Sequence, residues 1–390
     1  MNYFRPKPIL AQEFISGEEY NVIGLGDGKG NDLGQVSIKK MLVTKLGKIW
    51  TNVSIRNPKL SEFATSFVKQ SGWAGGYELE LMQKFGTEDF YLIEINPRNV
   101  KDEIDGANVD DMLQQYGSPL FIFSERQLRR QIRRLKQAFQ TRYPAMVFSW
   151  SYKTNYLSAI CALFHQEGEI AEVVSGFEYA KARKLGMPGN KIVFNGPLKT
   201  DEELKVAFSE GAKVHIDNFA ELQRAEKVAQ SLGKKCPVGI RLNIDTGLYQ
   251  CWTKFGFNLE NSQAYEAASL IARSEWLELT GIHAHIGTFM LDSNPYKIQV
   301  EKLVGFMFRV EEQLNCNIEY LDLGGGFPSK NKLKGVYHSP EINIPEIEEF
   351  AEVISSALLN SLPPGRTPTV YLETGRHLVD DAGYFSGRRL

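Results

Sequence analysis

From Tyr116 onward, short apolar runs alternate with amphipathic stretches at a nearly fixed rhythm. "PLFIFS" precedes "ERQLRRQIRRLKQAFQTRY", "MVFSWSY" precedes "NYLSAICALFHQEG", and "IAEVVS" precedes "GFEYAKARKLG". "KIVFNGP", "KVHIDN", "VGIRLN", "ELTGIHAHIG", "IEYLDLGGG" and "TVYLETGR" continue the series. A short strand that is apolar on both faces and feeds a helix belongs to a parallel sheet covered on both sides. Eight or nine such units predict closure into an eight-stranded (β/α)8 barrel rather than an open sheet. In such barrels, reactive side chains collect at the C-terminal ends of the strands.

Those ends carry Lys153, Ser175, Asn195, Asp217, Arg241, His283, His285, Gly324 to Gly326, Glu373 and Arg376. One polar residue at a strand end is an ordinary solvent contact. A polar residue or a glycine run after nearly every strand describes a ring around a pocket. Lys153, in "FSWSYKTNYL", taken alone, reads as a strand-end lysine reaching for water. Set in the ring, it reads as a Schiff-base lysine whose amine is freed by burial, which lowers an amine pKa. An aldehyde cofactor with a phosphate needs an anion cradle. The three glycines of "LDLGGGFP" can turn backbone N–H groups toward one, and "LETGR" adds Gly375 beside the cation Arg376. Glu373 would hold a pyridine nitrogen protonated and so make the ring an electron sink. "GIHAHIGT" sets His283 and His285 on one face of a strand. Zinc would need a third and usually a fourth ligand, and the six histidines show no such spacing. His285 lying flat on an aromatic cofactor is the better use; His283 stays open between that site and a satisfied core histidine.

"FSWSYKTNYL", "VVSGFE", "HAHIGT", "LDLGGGFP" and "LETGRHLV", in this order, resemble the fold-type III pyridoxal-phosphate decarboxylases, diaminopimelate decarboxylases above all, over about Tyr116 to Tyr384. The resemblance implies a barrel of the alanine-racemase type, an amino-acid substrate and α-decarboxylation. It implies that Lys153 carries the cofactor, His285 stacks on its ring and Glu373 pairs with the ring nitrogen. Thr288, Gly325, Gly326 and Arg376 would lie at the phosphate, and Arg241 close to the cofactor. Fold-mates that racemise alanine carry arginine at the ring-nitrogen position, so Glu373 favours decarboxylation. Thr374 stands where these enzymes usually have proline, and Thr288 where they usually have serine.

The first hundred residues have a different texture. "LAQEFISGEEYNVIGLGDGKG", "QVSIKKMLVTKLGKIW", "GGYELELMQKF" and "DFYLIEINPR" read as hairpin strands, and "KLSEFATSFVKQSG" as a helix stopped at Gly72. The "GLGDGKG" run has strands on both sides, so it is a hairpin loop rather than a dinucleotide fingerprint. Glu78 and Glu80 on one strand face, with Glu94 and Asn96 on the next strand, form either an oxygen-rich magnesium site or a solvated polar hairpin face. "QEFISGEEYNV", "GKIW" and "EINPR" together resemble the C-terminal half of an α+β ATP-grasp ligase. By that resemblance Glu80, Glu94 and Asn96 would be metal ligands, Glu13 would lie near the nucleotide, and ATP and Mg2+ would be further cofactors.

The expected organisation is a partial ATP-grasp domain at 1–100, a linker with a short helix and no strand at 101–115, a pyridoxal-phosphate barrel at 116–385 and an irregular end at 386–390. The β-rich domain that follows the barrel in the resembled decarboxylases has no counterpart here. The expectation is therefore an impaired enzyme, a homodimer weakened by the missing domain, and no ATP turnover by the first domain alone. The alternatives are a non-catalytic pyridoxal-phosphate-binding protein and an ATP-dependent amide-forming ligase. A formal charge of -2 gives no electrostatic case for nucleic acid or an anionic membrane. No apolar run approaches the ~20 residues that span a bilayer, and "MNYFRPKPILAQEF" lacks a signal peptide's apolar core. Four widely spaced cysteines fit reduced thiols in a cytoplasmic protein.

Overall fold

The computed structural model describes residues 15–43, 49–98, 103–249, 251–330 and 344–386. It divides into two compact units, one within Met1–Gln115 and the other from Tyr116 onward.

The first unit is a five-stranded antiparallel sheet built from β1 (Gly17–Asp27), β2 (Asp32–Val43), β3 (Ile49–Ile55), β4 (Ala74–Lys84) and β5 (Phe90–Arg98), in the order β3-β2-β1-β4-β5. The glycine-rich run is the turn between β1 and β2. The Asp27 carboxylate accepts from the amides of Lys29 and Asn31 and so closes it. The helix Pro58–Ser71 starts at Asn57, whose side chain accepts from the amides of Lys59 and Leu60, and stops at Gly72 with φ 59°. Leu60, Ala64 and Val68 recur every four residues and pack on Val22, Tyr77 and Leu79. Residues 103–116 are not a bare linker. β6 (Glu103–Ile104) and β7 (Ala107–Asn108) form a minimal hairpin ahead of the helix Val109–Tyr116. Asp105 and Gly106 both take positive φ there, the geometry that a tight two-residue turn demands.

The second unit opens with β8 (Leu120–Phe123), followed by β9 (Met146–Ser151), β10 (Ile170–Val173), β11 (Ile192–Phe194), β12 (Lys213–Ile216), β13 (Cys236–Asn243), β14 (Phe257–Asn258), β15 (Leu277–Ala284), β16 (Tyr320–Asp322), β17 (Thr369–Thr374) and β18 (Gly383–Ser386). Eight of these close a parallel barrel in the order β9-β10-β11-β12-β13-β15-β16-β17, with β17 back on β9. The two-residue β14 extends β13. The ninth apolar run, "PLFIFS", stays outside the ring. As β8 it pairs antiparallel with β18, an orientation a parallel barrel does not admit. Its Phe121 is exposed and stacks against Phe385. The helix Glu125–Gln140 buries Leu128, Ile132, Leu135 and Phe139 in the core that also holds Phe148 and Trp150.

Candidate active site

The strands bury apolar side chains between barrel and helices, yet the barrel interior near their C-terminal ends is polar. Glu172 on β10, Asn195 after β11, His215 on β12, His283 on β15, Asp322 on β16 and Glu373 on β17 are all buried. Lys153 follows β9 and places its Nζ 3.0 and 2.9 Å from the two carboxylate oxygens of Glu172 and 3.4 Å from Glu373 Oε2. Its stem is partly open to the cavity, with the side chain 42% exposed.

Burial pulls the Lys153 ammonium down, but Glu172 and Glu373 outweigh it and hold the amine above its ordinary range. This corrects the expectation that burial frees the nucleophile. The dominant neighbours are two carboxylates rather than apolar strand residues, so Lys153 rests as an ion pair. Burial likewise opposes ionisation of Glu373, and Lys153 and His283 reverse it, leaving the carboxyl well below the usual range. Asp322 goes the other way: burial and then the Glu373 charge push it well above the usual carboxylate range. Two buried carboxyls side by side thus take opposite protonation states.

His285 lies just past β15. Its Nδ1 accepts the Gly325 N–H at 3.0 Å, which leaves the ring proton on Nε2, and burial pushes its pKa down to about 3. Trp252 meets the ring edge-on, with centroids 5.3 Å apart. The glycine turn is tightly built. A Cβ on Gly325 would overlap the Glu373 carbonyl, and one on Gly326, at φ 101°, would overlap the Gly287 carbonyl. In this structure the Gly325 amide donates to His285, so this turn also orients the histidine.

Lys153, His285, Thr288, Gly325, Gly326, Glu373 and Arg376 line one cavity of about 450 Å3, a volume in the range of small-molecule sites. Arg241 does not reach its wall. Its guanidinium lies over the Phe255 ring at 4.6 Å and 3.8 Å from Asp217. Ser175 is a helix cap, accepting from the Glu178 amide. The residues present fit pyridoxal phosphate. The Lys153 amine and the Glu373 carboxylate share the cavity, a glycine turn that excludes any Cβ forms part of its wall, and Arg376, whose Nε is buried without a partner, lies beside that turn.

Two residues that sequence reasoning passed over matter here. Glu172 is a carboxylate inside the apolar run "IAEVVS", and that mismatch was the available signal. His215 joins His283 and Asp322 in the one group among the described residues with metal-ligand proximity, its donors within 4.8 Å of one another. Both His215 ring nitrogens already have partners, Asn195 Oδ1 at 2.6 Å and the Tyr320 hydroxyl at 3.0 Å. A metal there would have to displace one of these partners.

In the first unit, Glu80 lies opposite Glu94, and Glu78 opposite Asn96, on paired strands. Glu13 and the side chains of Glu94 and Asn96 lie outside the described residues. Glu80 is 3.4 Å from Lys40 Nζ, and Glu78 accepts from Asn21 at 2.6 Å.

Residues 126–380 match the family described as the pyridoxal-dependent decarboxylase, pyridoxal binding domain. The chain is 30% identical over 300 residues to the diaminopimelate decarboxylase of Methanocaldococcus jannaschii, covering 73% of this chain and 66% of that one. It is 32% identical over 292 residues to that of Aquifex aeolicus, covering 72% and 64%. The chain therefore spans a little under two thirds of the length of these curated relatives. The crystal structure of the M. jannaschii enzyme in complex with L-lysine superposes with a TM-score of 0.64 at 28% identity, covering 78% of this chain and 68% of that one. The family match, 126–380, lies within the second unit, and nothing in these comparisons supports an ATP-grasp origin for the first. On the family match and the closed eight-stranded barrel together, the chain belongs to the pyridoxal-dependent decarboxylases, through their pyridoxal-binding domain.

Proposed function

We propose that the protein removes the α-carboxylate of an amino acid, of the diaminopimelate or lysine size class, with pyridoxal phosphate as cofactor. The observation that carries this reading is that Lys153 and Glu373 converge on one cavity whose wall includes the Cβ-excluding glycine turn. When bound, pyridoxal phosphate supplies an electron sink for the pair left as carbon dioxide departs.

The chain's own residues do the rest. Lys153 offers the amine that would hold the aldehyde, and Glu172, at 2.9 Å, fixes that amine in place as its ion-pair partner. Glu373, held ionised by Lys153 and His283, would pair with the ring nitrogen and keep it protonated. His285, neutral and fixed by Gly325 and Trp252, would offer its flat face to the ring. Gly326, Thr288 and Arg376 would hold the phosphate. Phe123, Leu135, Phe327 and Val379 line the same cavity and keep water from competing.

The test is borohydride reduction of the protein with pyridoxal phosphate, followed by peptide mass mapping and by carbon dioxide release from diaminopimelate, lysine, ornithine and arginine. A pyridoxyl mark on Lys153 with release from one of these supports the reading. A mark without release supports the non-catalytic alternative, and no mark at all rejects the cofactor.

A second, separate reading concerns the first unit. Glu78 and Glu80 alternate along β4, Asn21 donates to Glu78, and the two glutamates are in backbone register with Asn96 and Glu94, a pairing that motivates a magnesium–nucleotide site of the ATP-grasp kind. Calorimetry with Mg-ATP decides it: heat that Glu80→Gln abolishes supports the site, and no heat rejects it.

A further inference from the structure

The barrel floor beneath Glu373 holds a line of hydrogen bonds whose polarity is fixed from end to end. The Tyr320 hydroxyl lies 3.0 Å from His215 Nε2, and His215 Nδ1 lies 2.6 Å from Asn195 Oδ1. Asn195 Nδ2 then donates to Glu373 Oε1 at 2.5 Å and to Glu172 Oε1 at 2.9 Å. An amide oxygen only accepts, so His215 must carry its proton on Nδ1. Its Nε2 is then bare and must accept from Tyr320. Burial holds the imidazole neutral, and it stacks on His283 at 4.9 Å between centroids.

The strands are cut to fit this line. Gly239 lies on β13, and a Cβ there would meet His215 Cδ2 at 2.5 Å and the Tyr320 hydroxyl at 2.8 Å; one on Gly281, on β15, would overlap the Tyr320 ring. Glycine inside a strand weakens it unless another group needs the space. Here two of them make room for the same two rings.

We propose that Tyr320, His215 and Asn195 are positioning residues: a one-way chain of donors that locks the Asn195 amide with its NH2 toward Glu373 and Glu172, and so fixes Glu373 in place for the cofactor's ring nitrogen. The reversed amide would aim its oxygen at two carboxylates and be repelled by both. Joined to Asn195 and His215, it has one orientation, and two anions that would otherwise repel each other share one donor group. The role assigned to Glu373 rests on the decarboxylase reading; the geometry of the chain does not.

The test starts with the cofactor-free full chain carrying 15N-histidine. Long-range proton–nitrogen correlations report the tautomer of each of the six histidines, and the signal lost in His215→Gln identifies His215. The expected result is a protonated Nδ1 and a bare Nε2. A protonated Nε2, or an imidazolium at neutral pH, overturns the proposal, and neither depends on any activity. Tyr320→Phe then removes one oxygen from the far end of the chain. It is expected to weaken pyridoxal phosphate binding by about threefold to tenfold, while Tyr371→Phe, whose ring touches Tyr320 at 5.2 Å, leaves binding unchanged. Equal binding by folded Tyr320→Phe and wild type overturns the positioning role. If the wild type takes up no pyridoxal phosphate, the decarboxylase reading fails, and the His215 tautomer still decides the chain.

Discussion

Lys153 Nζ is closer to both oxygens of Glu172, at 2.9 and 3.0 Å, than to Glu373 at 3.4 Å. The residue that restrains the amine is therefore the strand carboxylate of β10, and Glu373 is second. In Glu172→Gln one anion is gone and the ammonium loses its nearest support. The midpoint for capturing pyridoxal phosphate should move to lower pH, and capture at neutral pH should rise roughly tenfold, the effect of one pKa unit, ~1.4 kcal/mol. The mass fraction of borohydride-trapped protein across a pH series measures this; an unmoved midpoint assigns the restraint to Glu373 instead.

Glu373→Gln keeps the side chain's volume but removes its charge. Lys153 should still be trapped, while decarboxylation falls by about 10²-fold or more, as expected for loss of an electrostatic group acting in the transition state. Steady-state carbon dioxide release alongside the trapping assay separates the two effects. Equal loss of both would place Glu373 in assembly of the site and not in the chemistry.

Gly326 takes φ 101°, and a side chain there would overlap the Gly287 carbonyl. Gly326→Ala should lower stability by ~1–3 kcal/mol through backbone strain and weaken pyridoxal phosphate binding with it. Gly365, also at positive φ (86°) but with open space around it, is the control. Its alanine variant should pay only the conformational cost and bind normally, as denaturant melts and a binding titration would show.

Thr374 and Glu169 make a pH-dependent contribution. The Thr374 hydroxyl is 3.0 Å from the Ser149 carbonyl and 3.0 Å from Glu169 Oε1. One hydroxyl proton cannot serve both. A protonated Glu169 can donate to Thr374 while Thr374 donates to Ser149, and burial pushes the Glu169 pKa up to about 8. A carboxyl raised in the folded state binds its proton more tightly there than in the unfolded chain. Its contribution is full below 4.5, the ordinary value in the unfolded chain, and is lost as pH rises through about 8. Urea melts from pH 5 to 9 should show stability falling across this window in wild type and staying flatter in Glu169→Gln.

Much of this was legible in the sequence. The strand–helix rhythm dictated a barrel because each apolar run needs cover on both faces. Lys153, His285 and Glu373 stood out because polar residues at the ends of buried strands need a reason. What escaped depended on partners far apart in the chain. The sign of the Lys153 shift could not be read without knowing that residue 172 lies against residue 153. The amide of Gly325 could not be assigned before His285 was seen to claim it. "PLFIFS" has the composition of a barrel strand, and only its antiparallel partner at 383–386 keeps it out. Arg241 stood at a strand end in the pattern and was set near the cofactor by family likeness, while its guanidinium over the Phe255 ring is a contact no local pattern encodes.

The pairing of β8 with β18 ties the stretch that leads into the barrel to the stretch that leads out of it. Both leads emerge at a single seam, so a module grafted at either one would branch from the same place, and the eight-strand ring need not open to accept it. A circular permutant with these leads joined and the chain cut at the exposed Gly233 turn would leave the strand order of the ring unchanged.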